Sequence, residues 1–406
     1  MVRGTTVACA LRAFVSVTIA QRPGALPEVH PKLTTYICTI ADGCQSYDSA
    51  LVLDSMRHPI HQLQYPNLTC GRVGKAPNVT ACPDVDTCQT NCIIEGISDY
   101  ANHGVTTDGD VLRLQQVANA SSALHLQQRQ TAVRSLHPRV YLLTPDETQY
   151  QPFTLNGQEF AFDVDVSQLP CGMNGALYLV EMDLTGGQST LNTGGAEYGT
   201  GYCDAQCRVF PFIEGVGNID GDGSCCNEID IWEANSQATS MSHEDYYGSE
   251  LTVDTSQPFT VVTRFKEEDG VLVAIQRAYI QGGRFISNKC LNLVERTARP
   301  SSITDEYCCK SGASRYLDMG GNQAVGEALD RGMVLAMSLW WDTDTFMNWL
   351  DSGSNGPCST TEGNPTVIVE AQPNPVVTFS NIRWGEIGST YPVADQTLLD
   401  SSVCEV

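Results

Sequence analysis

The chain has 406 residues, enough for one large β domain or two smaller ones. It carries 23 basic and 47 acidic residues, a formal charge of −24. Such a charge opposes binding to nucleic acids and to anionic membranes, because its long-range field repels both. A neutral polymer is indifferent to this field and remains a candidate partner.

The first 20 residues, MVRGTTVACALRAFVSVTIA, have the layout of a secretory signal peptide. Because Arg12 interrupts the apolar run, a buried first helix of the mature domain stays the alternative. Loss of residues 1–20 leaves 21 basic residues against 47 acidic ones, a formal charge of −26. No later stretch is long and apolar enough to span a bilayer. We therefore expect a soluble, secreted, extracellular protein.

Seventeen cysteines are many for a chain of this length. Beside a signal peptide they predict a disulfide framework. Zinc is the competing use of closely spaced cysteines, and a secretory route disfavours it. Four cysteines have spacing that imitates a zinc site: Cys203, Cys207, Cys225 and Cys226. Three glycosylation sequons agree with export, and they begin at Asn67, Asn78 and Asn119.

Seven segments have the alternating or continuously apolar character of β-strands, with Gly, Asn, Asp and Pro clusters between them. They are VYLLT from 140, FAFDVDV from 160, ALYLVEMDL from 176, FTVVTRF from 259, VLVAIQRAYI from 271, GMVLAMSLWW from 332 and VVTFSNIRW from 376. This pattern predicts an antiparallel sandwich. Helical pattern is scarce: NQAVGEALDRG from 322, and a second turn at YLDMG from 316. One catalytic-sized domain is expected over 21–390, followed by a polar tail over 391–406.

The segment CCNEIDIWEAN, residues 225–235, places three acids in an apolar stretch. In a strand, Glu228 and Asp230 project to one face while Ile229 and Ile231 pack behind them. Glu233 has the wrong parity for that face. A β-bulge between Asp230 and Glu233 would correct it, because one extra residue returns the next side chain to the first face.

With one bulge, the Cα atoms of Glu228 and Glu233 lie about four strand rises apart, ~13 Å at ~3.3 Å each. Two side chains that lean together by roughly 3.5 to 4 Å each bring the carboxyl groups to ~5 to 6 Å. This is the spacing of retaining glycoside hydrolysis, in which one carboxylate attacks and the other transfers a proton. Asp230 would hydrogen-bond the nucleophile, and the crowding of charges would raise the pKa of Glu233. A solvated strand face is the alternative explanation of the three acids.

The stretch GSCCNEIDIWEAN resembles the signature of glycoside hydrolase family 7, the fungal cellulases. The resemblance continues through PEVHPKLTTYICT from 27, LPCGMNGALYL from 169, YGTGYCDAQC from 198, GMVLAMSLWW from 332, MNWLDSGSNGPCSTTEGNP from 347 and FSNIRWGEIGST from 379. It implies an all-β, concanavalin-like jelly-roll sandwich of two antiparallel sheets, with a substrate cleft on the concave sheet. It also implies a monomer that needs no metal or other cofactor and hydrolyses β-1,4-glucan with retention.

The resemblance assigns roles to the three acids: Glu228 matches the nucleophile, Asp230 its hydrogen-bonding partner and Glu233 the acid/base. His243 falls close to a family histidine of the leaving-group region, and a surface histidine is the alternative. Trp340 and Trp349 match tryptophans that stack on sugar rings, whereas Trp341 faces the other way and is expected in the core. Four further residues match positions that hydrogen-bond glucose hydroxyls: Asn174, Tyr178, Tyr202 and Gln206.

The cysteine pattern of the family implies six disulfides: Cys38–Cys44, Cys70–Cys92, Cys82–Cys88, Cys171–Cys358, Cys203–Cys226 and Cys207–Cys225. Once Cys9 is removed with the signal peptide, four cysteines are left over: Cys290, Cys308, Cys309 and Cys404. Cys308 then bonds Cys290 or Cys309, or stays free.

The chain also departs from the family. Roughly twenty residues that family members carry after the position of His243 are absent, and this segment helps to wall the cleft. Two tryptophans of the family are missing at LDSMRHPIH, where His58 stands near one of them, so binding far from the scissile bond should weaken. The tail carries no cellulose-binding module.

These features favour an endo-β-1,4-glucanase with an open cleft. A reducing-end cellobiohydrolase is the alternative within the family. A glucan-binding protein without catalysis is the alternative outside it, if the missing segment has disabled the site. A cleft rich in carboxylates predicts an acidic pH optimum.

Overall fold

The structure, a computed structural model, describes residues 22–118, 135–240, 246–287 and 302–391. Its strands are β1 Arg22–Pro23, β2 Lys32–Thr39, β3 Gly43–Leu53, β4 Ile60–Gln62, β5 Cys92–Ile94, β6 Val105–Asp108, β7 Val111–Gln115, β8 Arg139–Leu143, β9 Pro152–Phe153, β10 Gln158–Asp165, β11 Met173–Val180, β12 Phe212–Ile213, β13 Val216–Gly217, β14 Glu228–Ala234, β15 Tyr247–Gly248, β16 Val253–Asp254, β17 Phe259–Glu268, β18 Val271–Gln281, β19 Arg284–Ser287, β20 Ser302–Ile303, β21 Met333–Trp341 and β22 Val376–Glu386. Its α-helices are α1 Val85–Asn91, α2 Asp305–Ser311, α3 Ser314–Asp318, α4 Gly321–Arg331, α5 Asn348–Asp351 and α6 Pro365–Ala371.

The main hydrogen-bonded sheet runs in the order β14-β11-β21-β8-β3-β2-β22-β10-β17-β18-β19. Neighbouring strands along this order are antiparallel except for β2 and β22, which are parallel. The sheet folds over so that β14, β11, β21, β8 and β3 form one layer and the strands from β22 to β18 form the other. This is the β-jelly-roll sandwich that the sequence predicts.

The two layers enclose the main hydrophobic core. On β11, Leu177 and Leu179 point into this core, while Ala176 and Tyr178 point to the opposite face. The opposite layer contributes large aromatic side chains from β10, β17 and β22: Phe160, Phe162, Phe259, Phe265 and Phe379. Because successive side chains on a strand alternate between faces, the same alternation that fills the core also presents a second row of residues to the concave surface.

All seven predicted strands are present, and the predicted helix and turn correspond to α4 and α3. The sequence pattern did not reveal the hairpin of β2 and β3, which joins the two layers. The hairpin buries polar side chains as well as apolar ones: Thr35 and Ser49 are both buried and their hydroxyl groups lie 3.0 Å apart. Their mutual hydrogen bond compensates for this burial. Burial of polar residues conceals the usual alternation of apolar and polar residues in the sequence.

Six disulfides stabilise the loops that leave the sandwich, and they are the same six pairs that the resemblance implies. The four cysteines with zinc-like spacing are among them, as Cys203–Cys226 and Cys207–Cys225. Cys308 is a buried free thiol and Cys309 an exposed one. Cys290 and Cys404 lie outside the described residues. Within the described ranges, no helix has the length and apolar character needed to cross a membrane.

Candidate active site

The three acids of the CCNEIDIWEAN segment lie on β14, the edge strand of the concave layer. Glu228 pairs with Val180 and Glu233 pairs with Ala176 on the neighbouring β11. The register shifts between Ile229 and Trp232, where two residues of β14 stand opposite Tyr178 alone. The predicted β-bulge is therefore present, one position earlier than the interval proposed from parity. Since Val180 and Ala176 share a face, Glu228 and Glu233 do so as well.

Each glutamate accepts a hydrogen bond from a fixed donor. The backbone N–H of Ala205 donates to Oε2 of Glu228 at 2.8 Å. The side-chain amide of Asn174, which is fully buried on β11, donates to Oε1 of Glu233 at 3.0 Å. These donors orient the two carboxyl groups on the floor of one cleft. Asn174 lies on β11, and Ala205 lies in a turn between the disulfide-bonded Cys203 and Cys207.

The pKa values of all three carboxyl groups lie above their usual range. Burial is the main cause of the raised pKa of Glu233, and the charge of Glu228 adds to it. Burial also raises the pKa of Glu228, while the hydrogen bond from Asp230 opposes that rise. Burial and repulsion by Glu233 and Glu228 raise the pKa of Asp230 well above its usual range, although part of its surface opens to the cleft. The interaction between the two side chains raises the pKa of Asp230 and lowers that of Glu228, which favours a protonated Asp230 beside an ionised Glu228.

The three acids line a cleft of about 770 Å³ that crosses β14, β11, β21 and β8. Trp340 and Trp349 also line it, with ring centroids 6.3 Å apart and ring planes inclined by 30°. Trp349 is 43% exposed, so its indole ring is accessible from the cleft. Trp341 is 6% exposed and packs in the core, as parity predicts.

The predicted hydroxyl-binding residues lie along the same cleft. The hydroxyl groups of Tyr178 and Tyr202 are 3.1 Å apart, and Gln206 is exposed at the cleft wall. Asn174 contacts the site through Glu233, as described above. His243 belongs to residues 241–245, which lie outside the described part of the chain.

Three cleft arginines escaped the sequence analysis: Arg57, Arg139 and Arg208. The guanidinium of Arg139 lies 3.3 Å from the ring centroid of Tyr202 and donates to Asp54. Arg139 precedes Tyr141 by two residues on β8, so period-two parity could have placed it on the concave face. Arg57 lies in a 3₁₀ turn, Ser55–Arg57, where no periodic pattern exists to reveal it.

His58, the residue that sequence comparison places near an absent tryptophan, is buried and points away from the cleft. Its Nδ1 lies 3.0 Å from the carbonyl oxygen of Glu95 and its Nε2 lies 3.1 Å from that of Leu53. The neighbouring Arg57, and not His58, therefore faces the cleft at this point.

Among the described residues, two groups of side chains bring together three atoms of the kind that bind metals: Cys70, Cys82 and Cys92, and Cys171, Asp351 and Cys358. Every cysteine in both groups is disulfide-bonded. A metal-binding cysteine needs its thiolate, so these groups are structural.

A β-sandwich whose concave sheet carries paired carboxyl groups beside exposed indole rings is the architecture of a polysaccharide-cleaving enzyme. The sequence model of Glycosyl hydrolase family 7 matches residues 24–244 and 239–391. The chain belongs to this family and is a glycosidase. The two matched segments overlap at 239–244. This is the position at which a segment of the family is expected from the sequence to be missing.

Known relatives agree with this assignment. Endoglucanase EG-1 of Humicola insolens is 45% identical over 433 aligned residues, which cover 96% of each chain. A solved structure of a mutant of Endocellulase Cel7B (EG 1) from Humicola insolens has a TM-score of 0.85 at 46% identity and covers 91% of this chain and 100% of that one. Endoglucanase I complexed with cellobiose also has a TM-score of 0.85, at 44% identity, with the same coverage.

Proposed function

We propose that this chain is a secreted endo-β-1,4-glucanase that cleaves internal bonds of cellulose or related β-glucans with retention of configuration. The observation that carries the proposal is the bulge in β14, which brings Glu228 and Glu233 to one face. Their partners on β11 are four residues apart. Two glutamates whose Cα atoms are ~13 Å apart can approach to the short carboxyl separation that a double displacement requires.

Glu228 is the proposed nucleophile. It forms a bond to the anomeric carbon while the glycosidic carbon–oxygen bond breaks, which gives a glycosyl-enzyme. The reaction needs Glu228 ionised, and hydrogen bonds from the N–H of Ala205 and from the side chain of Asp230 favour that form because both lower the pKa of Glu228. Asp230 is the proposed positioning residue that keeps this carboxylate in the attacking orientation.

Glu233 is the proposed acid/base. Its raised pKa keeps it protonated, so that it can donate to the departing oxygen as the first bond breaks. It then removes a proton from the water that releases the sugar from Glu228. Asn174 occupies Oε1 of Glu233, which leaves Oε2 to carry the transferred proton.

The walls of the cleft are proposed to bind the glucan chain. The faces of Trp340 and Trp349 offer apolar area to pyranose rings without requiring hydrogen bonds. Tyr178, Tyr202 and Gln206 are the proposed partners of sugar hydroxyl groups, and His243 is proposed to lie near the leaving group.

Endo action is supported by the interrupted family match at 239–244, because a missing wall segment leaves the cleft open for internal binding. The relative from Humicola insolens is named an endoglucanase. We further propose export with removal of residues 1–20, glycosylation of the exposed Asn67, and a monomer without nucleic-acid or membrane partners.

The test is hydrolysis of soluble carboxymethyl cellulose by the purified protein, with viscosity and new reducing ends followed together. A steep fall in viscosity with few new ends, abolished in Glu228→Gln, is the expected result. Many new ends with little loss of viscosity would indicate the chain-end alternative. Binding without hydrolysis by the folded protein would refute catalysis.

A further inference from the structure

The floor of the cleft is electrically uneven. The carboxyl groups of the proposed catalytic residues lie on β14, whereas Arg139 lies on β8 and Arg57 on the turn that follows β3. Four further charged residues line the cleft: Asp204, Arg208, Asp342 and Asp344. Arg139 pairs in register with Ser338, Ser338 with Ala176, and Ala176 with Glu233. Three strand spacings separate the first and last of these residues, ~14 Å at ~4.8 Å each.

Asp54 is the carboxylate between the two arginines, and its oxygens are already occupied. Oδ1 accepts from the N–H of Met56 at 2.9 Å. Oδ2 accepts from Nη2 of Arg139 at 2.8 Å and from the hydroxyl group of Tyr141 at 2.5 Å. One carboxylate thus faces two guanidinium groups, so Asp54 alone cannot neutralise both of them.

Of the two arginines beside Asp54, Arg57 is the one without a direct partner among the described residues. Its Nε is buried with no hydrogen bond, and its side chain forms no ion pair with any residue that the structure describes. Its backbone is nevertheless held firmly, because Asp54 caps the turn and the ring of His58 contacts two backbone carbonyl groups. A fixed, uncommitted guanidinium on a cleft wall is suited to a ligand that carries a negative charge.

We propose that Arg57 makes the cleft selective for β-glucans that carry carboxylate groups, with the acidic sugar bound between Arg57 and Arg139. A guanidinium recognises a carboxylate through two parallel hydrogen bonds, which fixes the position of that sugar. An acidic sugar next to the catalytic carboxylates would be repelled. The polymer should therefore be cut several rings from its charged unit. This inference rests on the proposed β-glucan hydrolysis.

The test compares soluble hydroxyethyl cellulose with the same polymer after partial oxidation of C6 hydroxyl groups to carboxylates. The quantity measured is the ratio of kcat/KM for the acidic polymer to kcat/KM for the neutral one. Arg57→Gln removes the charge and Arg57→Lys retains it. The matched control is Arg113→Gln, which makes the same change of net charge at an exposed position on β7, away from the cleft.

We expect the ratio to fall about tenfold in Arg57→Gln, as for loss of a charge-assisted hydrogen bond, and to recover partly in Arg57→Lys. The wild-type preference should weaken with added salt. Acidic products of the wild type, analysed by mass spectrometry, should carry their carboxylate at one fixed distance from the new chain end.

An equal ratio in Arg57→Gln and Arg113→Gln, with hydrolysis of the neutral polymer intact in the wild type, would overturn the inference and leave the proposed function standing. Failure of the wild type to cut either polymer would refute the proposed function instead. In that case the inference is tested by affinity electrophoresis, which measures how strongly each polymer retards the wild type and Arg57→Gln. Equal relative retardation of the two proteins by the acidic polymer would overturn it.

Discussion

Replacement of Asn174 by alanine should shift the alkaline limb of the pH profile of catalysis and leave the acid limb in place. Asn174 is fully buried and donates to Oε1 of Glu233 at 3.0 Å. This hydrogen bond favours the ionised form of Glu233 and so lowers a pKa that burial raises. Its loss should raise the pKa of Glu233 further.

The size of the shift follows from the strength of the bond. A hydrogen bond to a charged group contributes about 1.5 to 3 kcal/mol, and one pKa unit corresponds to about 1.4 kcal/mol. The upper bound is therefore about one to two units. Water in the cleft reaches the half-buried Glu233 and replaces part of the lost interaction, so we expect a shift of about one unit.

The assay is the pH profile of kcat/KM on a soluble glucan. In the proposed mechanism Glu233 must be protonated in the first step, so activity is lost as pH rises through its pKa, and the alkaline limb should move upward by about one unit. The acid limb, which the proposal assigns to ionisation of Glu228, should stay in place. Asn374→Ala, at an exposed position before β22, serves as the control. An unchanged alkaline limb in Asn174→Ala, with the fold intact by circular dichroism, would refute the assignment of Glu233 as the acid.

Three further predictions concern stability and binding. Asp230→Asn should lower kcat. It should also raise the Tm at pH 7 but not at pH 3, because the pKa of Asp230 is raised in the folded state and its ionisation therefore opposes folding. An equal change of Tm at both pH values would contradict this. Arg264→Met should lower the free energy of unfolding in urea by about 3–5 kcal/mol, since it leaves the buried Glu159 without its ion-pair partner. The double variant with Glu159→Gln should recover part of that loss. Full stability of the single variant would argue against the ion pair. Trp349→Ala should raise KM for the glucan about two- to tenfold, as loss of ring contacts worth about 0.5–1.5 kcal/mol implies, and an unchanged KM would exclude stacking there.

Much of the site could be predicted because it lies on regular strands. On β14, period-two alternation placed Glu228 and Asp230 together, and parity alone required a bulge to include Glu233. On β21, the same alternation separated Trp340 in the cleft from Trp341 in the core. A strand has one local geometry, so position along it determines direction.

Arg57 shows where reasoning from strand alternation ends. The turn of Ser55–Arg57 has no repeat from which a direction can be read, and whether Arg57 or His58 faces the cleft depends on the carbonyl groups of Leu53 and Glu95 that hold the imidazole. The approach of two guanidinium groups to Asp54 arises only when β3 and β8 pair.

The sequence by itself determined the class of the fold, the strands that build it and the three acids on β14, because strand periodicity and the chemistry of paired carboxyl groups are local properties. Only the tertiary structure decided how the three carboxyl groups shift one another's pKa, which donors hold the two glutamates and which arginines line the cleft. Those properties depend on distances between strands far apart in the chain, such as the approach of Asn174 to Glu233, and burial and Coulomb energy are functions of those distances.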